Sequence, residues 1–200
     1  MKSSVMRSAL GGLLVLSLVL VFSSCSNHDG NDWQRLVCDV QSTNGGNPLV
    51  APFLTISSGD TLVALTTAGF VFHARPYGST IMLPEDAAHS WFQITHYDLL
   101  WENVPEIYDD YGVDLTQHNV IGGSTNIMVP VYEEAGASLI IVGWDMKYSE
   151  WFIRLGVLYE IPPFQANVRV IFYGHESGSD KVVDIETSLR VMFVDSVVAN

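Results

Sequence analysis

The chain has 200 residues, 48% of them hydrophobic and only 16% charged, with nine Lys and Arg against 22 Asp and Glu. Length admits one generous domain or two small ones, and the apolar share excludes a disordered chain. A net charge of −13 excludes a nucleic-acid binder, which needs clustered cations for phosphate, and two cysteines exclude a disulfide-dense scaffold and a four-cysteine zinc site.

Residues 1–24 read as a secretory signal peptide. Lys2 and Arg7 form a short basic start, and Leu10 to Phe22 form an apolar run shorter than the ~20 residues a spanning helix needs. Phe22-Ser23-Ser24-Cys25 resembles a bacterial lipoprotein box, in which the cysteine becomes the acylated first residue of the mature protein; Phe22 stands where Leu, Val or Ile is usual. Cys25 is therefore the expected lipid-attachment site, against the alternative of an ordinary signal peptide with an incidental cysteine. With Lys2 and Arg7 in the leader, seven of the nine cations remain beside all 22 acids, a formal charge of −15. Such a chain does not adsorb to anionic headgroups, so the expected anchor is palmitate-type acylation, at about 0.8 kcal/mol per buried methylene. Residues 25–32, Cys25 to Asp32, read as a lipidated flexible tether. Asp29 and Asp32 partly resemble the acidic surface-export signal of Bacteroidetes lipoproteins, and a periplasmic spacer is the alternative.

From Trp33 onward the dominant period is two. Strands are expected at Leu36 to Val40, Phe53 to Ile56, Thr61 to Thr66, Phe70 to Ala74, Thr80 to Leu83 and Trp91 to Leu100, with one helical turn at Glu85 to His89. Ser57-Ser58-Gly59-Asp60 reads as a tight connection. Pro105 to Gly112 reads as a junction, dividing an N-terminal β domain (33–112) from a C-terminal antiparallel β-sandwich (113–200). In the second half Ile127, Val129 and Val131 alternate, and Glu133 to Gly136 reads as a hairpin loop. The β-branched run Leu139 to Val142 reads as a central strand buried on both faces. Trp151, Ile153, Leu155, Val157, Tyr159 and Ile161 read as one face of a strand ended by Pro162-Pro163. Val168, Val170 and Phe172, a loop at Ser177 to Asp180, and Val183 to Phe193 read as the final hairpin. The expected class is all-β, an antiparallel β-sandwich.

Three stretches resemble the NigD-like lipoproteins of Bacteroidetes. Leu54-Thr55-Ile56-Ser57-Ser58-Gly59-Asp60-Thr61-Leu62 is similar to that family's early hairpin, and Trp91 to Trp101 sits where the family closes its first unit. Phe172-Tyr173-Gly174-His175-Glu176 followed by Val191-Met192-Phe193 is similar to its terminal hairpin. The resemblance implies an OB-like barrel followed by a β-sandwich on a lipid anchor, and it implies no catalytic residues.

No phosphate loop, nucleophile elbow, paired-cysteine knuckle or metal-binding helix is present in the sequence. Gly174-His175-Glu176-Ser177-Gly178 displaces the serine of a nucleophile motif by one residue and falls at a hairpin. Cys38 alternates with Leu36 and Val40, which suits a buried thiol. Asp109, Asp110 and Asp114, with Tyr108 and Tyr111, form the densest acidic cluster; calcium would accept such oxygens, but the spacing fits no known calcium loop and a solvated linker is the alternative. Trp144, Tyr148 and Trp151, in Trp144-Asp145-Met146-Lys147-Tyr148-Ser149-Glu150-Trp151-Phe152, are the candidate ligand-binding residues. Aromatic faces beside carboxylates suit a sugar, whereas core packing by Trp151 and capping by Trp144 would explain the same residues. Glu133-Glu134 could supply a glycosidase carboxylate pair only with a cleft between defined separations.

The sequence thus points to a non-enzymatic lipoprotein of the outer membrane, periplasmic or surface-facing. It would be tethered through Cys25 and act as a binding or accessory module with a protein partner. The alternative is a glycan-binding lipoprotein using Trp144 to Trp151. Neither reading calls for a cofactor, a metal or nucleic acid.

Overall fold

The computed structural model describes residues 35–57, 60–77, 90–102 and 106–198. The signal peptide, Cys25, the tether, and the elements expected at Thr80 to Leu83 and Glu85 to His89 lie outside the described residues.

The body is all-β, as the alternation implies. Its strands are β1 (Leu36–Thr43), β2 (Leu49–Ser57), β3 (Asp60–Leu62), β4 (Thr66–Pro76), β5 (Trp91–Trp101), β6 (Val120–Pro130), β7 (Glu134–Val142), β8 (Phe164–Glu176) and β9 (Val183–Val198). They form a three-stranded sheet in the order β1-β4-β7 and a six-stranded sheet in the order β3-β2-β9-β8-β5-β6. Between these strands every pairing is antiparallel except β2 with β9, which runs parallel from Leu49 opposite Val191 to Ile56 opposite Val198; a single parallel bridge joins Ala74 to Val131.

The sheets meet through the inward set of each alternating strand. Ala68, Phe70, Phe72 and Ala74 of β4 face Phe164, Ala166, Val168, Val170 and Phe172 of β8, all buried. Phe172 takes the Phe70 ring edge-on at 5.2 Å and the Phe72 ring at 4.8 Å, the arrangement aromatic quadrupoles favour. Cys38 lies in this core, its thiol pushed up to about 12 by burial and by the neighbouring Asp39 charge, so it is inert as a nucleophile.

Four sequence expectations are corrected. The division at residue 112 does not hold, because β1 and β4 share a sheet with β7 while β2 and β5 share one with β8 and β9. Leu139 to Val142 belongs to β7, an edge strand of the small sheet with Ile140 47% exposed, not a strand buried on both faces. The link after β6 is no hairpin loop at Glu133 to Gly136. Its turn is Val131 to Glu133, it crosses between sheets, and Glu134 to Gly136 is already strand.

The fourth concerns the run from Trp151 to Ile161. It opens with a helix, following a shorter one: α1 (Trp144–Lys147) and α2 (Glu150–Gly156). The buried set is Trp151, Phe152, Leu155 and Gly156, one side of a helix, while Val157 and Tyr159 of the supposed strand face are exposed. With Phe152 and Leu158 apolar as well, the segment carries apolar residues at both parities and fits either period. Glu150 in the first turn and Arg154 in the last suit the helix dipole. Gly156 decides the packing, since a Cβ there would lie 2.2 Å from the Phe53 side chain of β2. No larger residue lets α2 sit this close.

Candidate functional site

Two segments singled out in the sequence come together at one end of the sandwich. A short 3-10 helix, Glu106–Tyr111, carries Asp109 and Asp110 of the acidic cluster, with Asp114 three residues beyond its end, and α1 and α2 carry the aromatic segment. Both pack on Phe164 at the start of β8, with Tyr108 at 4.8 Å and Trp151 at 5.8 Å between ring centroids. Between them lies a groove of about 470 Å³, walled by Asp109, Asp110 and Asp114 on one side and Glu150, Trp151 and Arg154 on the other.

The aromatic trio separates on inspection. Trp151 is 5% exposed, stacked on Phe152 at 4.9 Å and edge-on to Phe193 at 5.5 Å, so it is a core residue that also lines the groove. Its indole Nε1 is buried without a hydrogen-bond partner. Trp144 and Tyr148 are 45% and 62% exposed and stack on each other at 5.8 Å. Being four apart across α1, they share a face.

The acidic wall is organised by side-chain hydrogen bonds. Asp114 Oδ1 accepts from the Thr116 amide at 2.9 Å and the Thr116 hydroxyl at 2.6 Å, and Oδ2 accepts from Gln117 Nε2 at 2.8 Å. The Thr116 and Gln117 side chains lead in holding its carboxyl below the usual range. His118, on the following 3-10 turn, ties the two halves together through Nδ1 and Asp145 Oδ2 at 2.9 Å. Burial pushes Asp145 up, but the bond to His118 and the Met146 amide outweigh it and leave the carboxyl lowered. Arg154 crosses the groove floor. It donates from a terminal nitrogen to the Tyr111 carbonyl at 3.0 Å and from Nε to Glu160 at 2.8 Å.

Among the described residues no three His, Cys, Asp or Glu side chains are grouped so as to hold a metal ion, the Asp109–Asp114 cluster included. Glu133 and Glu134 stand exposed at the turn between β6 and β7, away from this groove. His118, Gln117 and Arg154 were not signalled as site residues. The Asp114-x-Thr116 spacing of an Asx turn and the Glu150-to-Arg154 interval are the local signals that place them.

The groove lies far from where the preceding chain joins the body. Arg35 and Leu36 are fixed at the other end of β8, where Glu176 Oε2 accepts from both their amides at 2.8 Å and Oε1 pairs with Arg35 Nε at 3.2 Å. The 13 residues of β8 separate the two ends, about 40 Å at 3.3 Å per residue.

No protein family matches this chain, and no curated protein does. Among solved structures it is similar to AggA, the major subunit of aggregative adherence fimbriae type I from Escherichia coli. The TM-score is 0.33 and the identity 10%, over 79% of this chain and 96% of that one.

Proposed function

We propose that the chain is a non-enzymatic, lipid-anchored binding module of the bacterial outer membrane, holding its acid- and aromatic-walled groove away from the membrane to engage a protein partner. The observation that carries this reading is the placement of the groove opposite Arg35, the residue through which a tether from Cys25 reaches the body. A groove on the tether side would face lipid. Four carboxylates, Asp109, Asp110, Asp114 and Glu150, give it a field suited to a partner carrying Lys or Arg. Two experiments test the two halves of the proposal. Cys25→Ser abolishes labelling by an alkyne-bearing fatty acid and frees the protein from the membrane fraction; continued labelling refutes the anchor. A photo-crosslinking residue at Gln117 captures an envelope partner that one at Glu133 does not; capture from Glu133 alone refutes the groove.

Glycan binding is the second reading, favoured by the exposed, stacked Trp144–Tyr148 pair, which lies outside the groove lining on the helical segment that supplies Glu150 and Trp151 to it. A glycan panel read by tryptophan fluorescence tests it, and an absence of any response lost on Trp144→Ala sinks it.

A further inference from the structure

Independently of that groove, a second polar groove is set apart by its charge. Of the seven cations that follow the leader, Arg35, Arg75, Arg154 and Arg169 pair with Glu176, Asp39, Glu160 and Glu186. Lys147 is buried against the Pro52 carbonyl, and Lys181 is exposed in the turn between β8 and β9, outside this groove. Arg190, in β9, makes no ion pair among the described residues, and it alone of the cations lines this groove of about 560 Å³. The groove forms because β9 pairs with β2 only from Val191 onward. Its earlier half is approached instead by the end of β1, where the Thr43 and Thr187 hydroxyls meet at 3.0 Å.

The lining is unusual for so acidic a chain. Arg190 stands directly opposite Asn167 in the β8–β9 ladder, which puts both side chains on one face within reach of one ligand. Across from them lie Gln41, Asn47 and the hydroxyl of Ser42, and no Asp or Glu lines the groove. A guanidinium with no counter-ion is a fork for a carboxylate. Amides and hydroxyls, each both donor and acceptor, match the hydroxyls around a pyranose ring. The volume lies within the usual span of small-molecule pockets. A screening length of about 8 Å at physiological salt leaves the remote negative charge of the body a weak obstacle to an anion.

We infer that this groove binds an acidic sugar, a hexuronic acid unit of a glycan, with Arg190 on the carboxylate and Asn167, Gln41 and Asn47 on the ring hydroxyls. The full chain, purified in detergent, is titrated by calorimetry with α-1,4-linked trigalacturonate, the matching neutral galactose trimer, acetate and triglycine. Trigalacturonate binds, the neutral trimer binds at least tenfold more weakly, and Arg190→Gln brings the acidic trimer down to the neutral level. Arg190→Lys falls between, since it keeps the charge and loses the fork, whereas Arg169→Gln, two residues along β8 from Asn167, leaves binding unchanged. Both side chains are exposed, so an unaltered melting temperature shows that the variants are folded. Equal affinity for acidic and neutral trimers, no effect of Arg190→Gln, no binding by the folded protein, or tighter binding of acetate or triglycine than of trigalacturonate would each overturn the assignment.

Discussion

At the end where Arg35 joins the body, structure is held by polar groups: the buried Glu176 carboxylate takes two backbone amides and the Arg35 guanidinium. At the far end it is held by rings, with Trp151, Phe152, Phe164 and Phe193 in mutual contact and Gly156 letting α2 settle onto Phe53. The polar end holds Arg35 and Leu36 in place, because hydrogen bonds from amides and a guanidinium to a carboxylate are directional. The ring-built end forms a broad platform on which short helices can carry varied side chains, since apolar packing is not directional. A fixed Arg35 and a broad platform are what the proposed tethered binding module would need at its two ends.

The largest effect is expected at the platform. Trp151→Ala removes a ring in contact with four others, His118, Phe152, Phe164 and Phe193, and should cost about 3–5 kcal/mol in urea unfolding, the range for deleting a buried large aromatic. A cost below about 1 kcal/mol would mean that α2 is not seated on the core. At the attachment end, Glu176→Ala leaves two amides without their acceptor. It should cost about 2–4 kcal/mol, given the penalty for orphaned buried donors. If Glu176→Gln restores most of that, hydrogen bonding and not charge holds Arg35.

These two regions also differ in how far the sequence reveals them. The hairpin of β8 and β9 is plain because Val168, Val170, Phe172, Ile185, Leu189 and Val191 alternate with mostly polar residues, Ile171 excepted, and one face is buried as that alternation demands. The same rule misleads at Trp151 to Ile161, where apolar residues occupy both parities and the contact that selects a helix, Gly156 on Phe53, spans about a hundred residues of sequence. The division at residue 112 fails for a related reason. Nothing local in Leu49 to Ile56 announces that it will pair in parallel with the last strand of the chain. Asp109–Asp114 and Trp144–Trp151 are each legible as unusual segments. Their meeting in one groove depends on both packing against Phe164, which no spacing encodes.

Lys147 sharpens the contrast, as a charge-bearing group inside the ring-built end. It is fully buried, donates to the Pro52 carbonyl and lies 5.0 Å from the Phe152 ring centre, and burial lowers its ammonium to about 8 from the ordinary 10.5. The folded chain therefore releases this proton more readily than the unfolded chain, which binds more protons between pH 8 and 10.5. Stability from this group rises with pH across that window, by at most about 3 kcal/mol. Cys38 acts in the opposite sense above pH 9, since its folded thiol stays protonated to about 12. The difference between wild type and Lys147→Met isolates the lysine: it should shift in favour of wild type from pH 7 to pH 9 in denaturant titrations. A pH-independent difference would mean that Lys147 reaches water.

The smallest expected effect on stability is the most telling for function. Trp144, on α1, precedes Trp151 of α2 by seven residues, yet its ring is 45% exposed and stacks on Tyr148. Trp144→Ala should therefore change stability by no more than about 0.5 kcal/mol, as for surface substitutions away from buried networks. Trp144 does not itself line the distal groove; if the partner seated there extends over the neighbouring α1, the variant still weakens capture, because an exposed aromatic pair contributes through contact area that only a partner covers. A stability loss near that of Trp151→Ala would assign Trp144 to the platform. Full stability with undiminished capture would move recognition off α1 and onto the acidic wall of Asp109, Asp110 and Asp114.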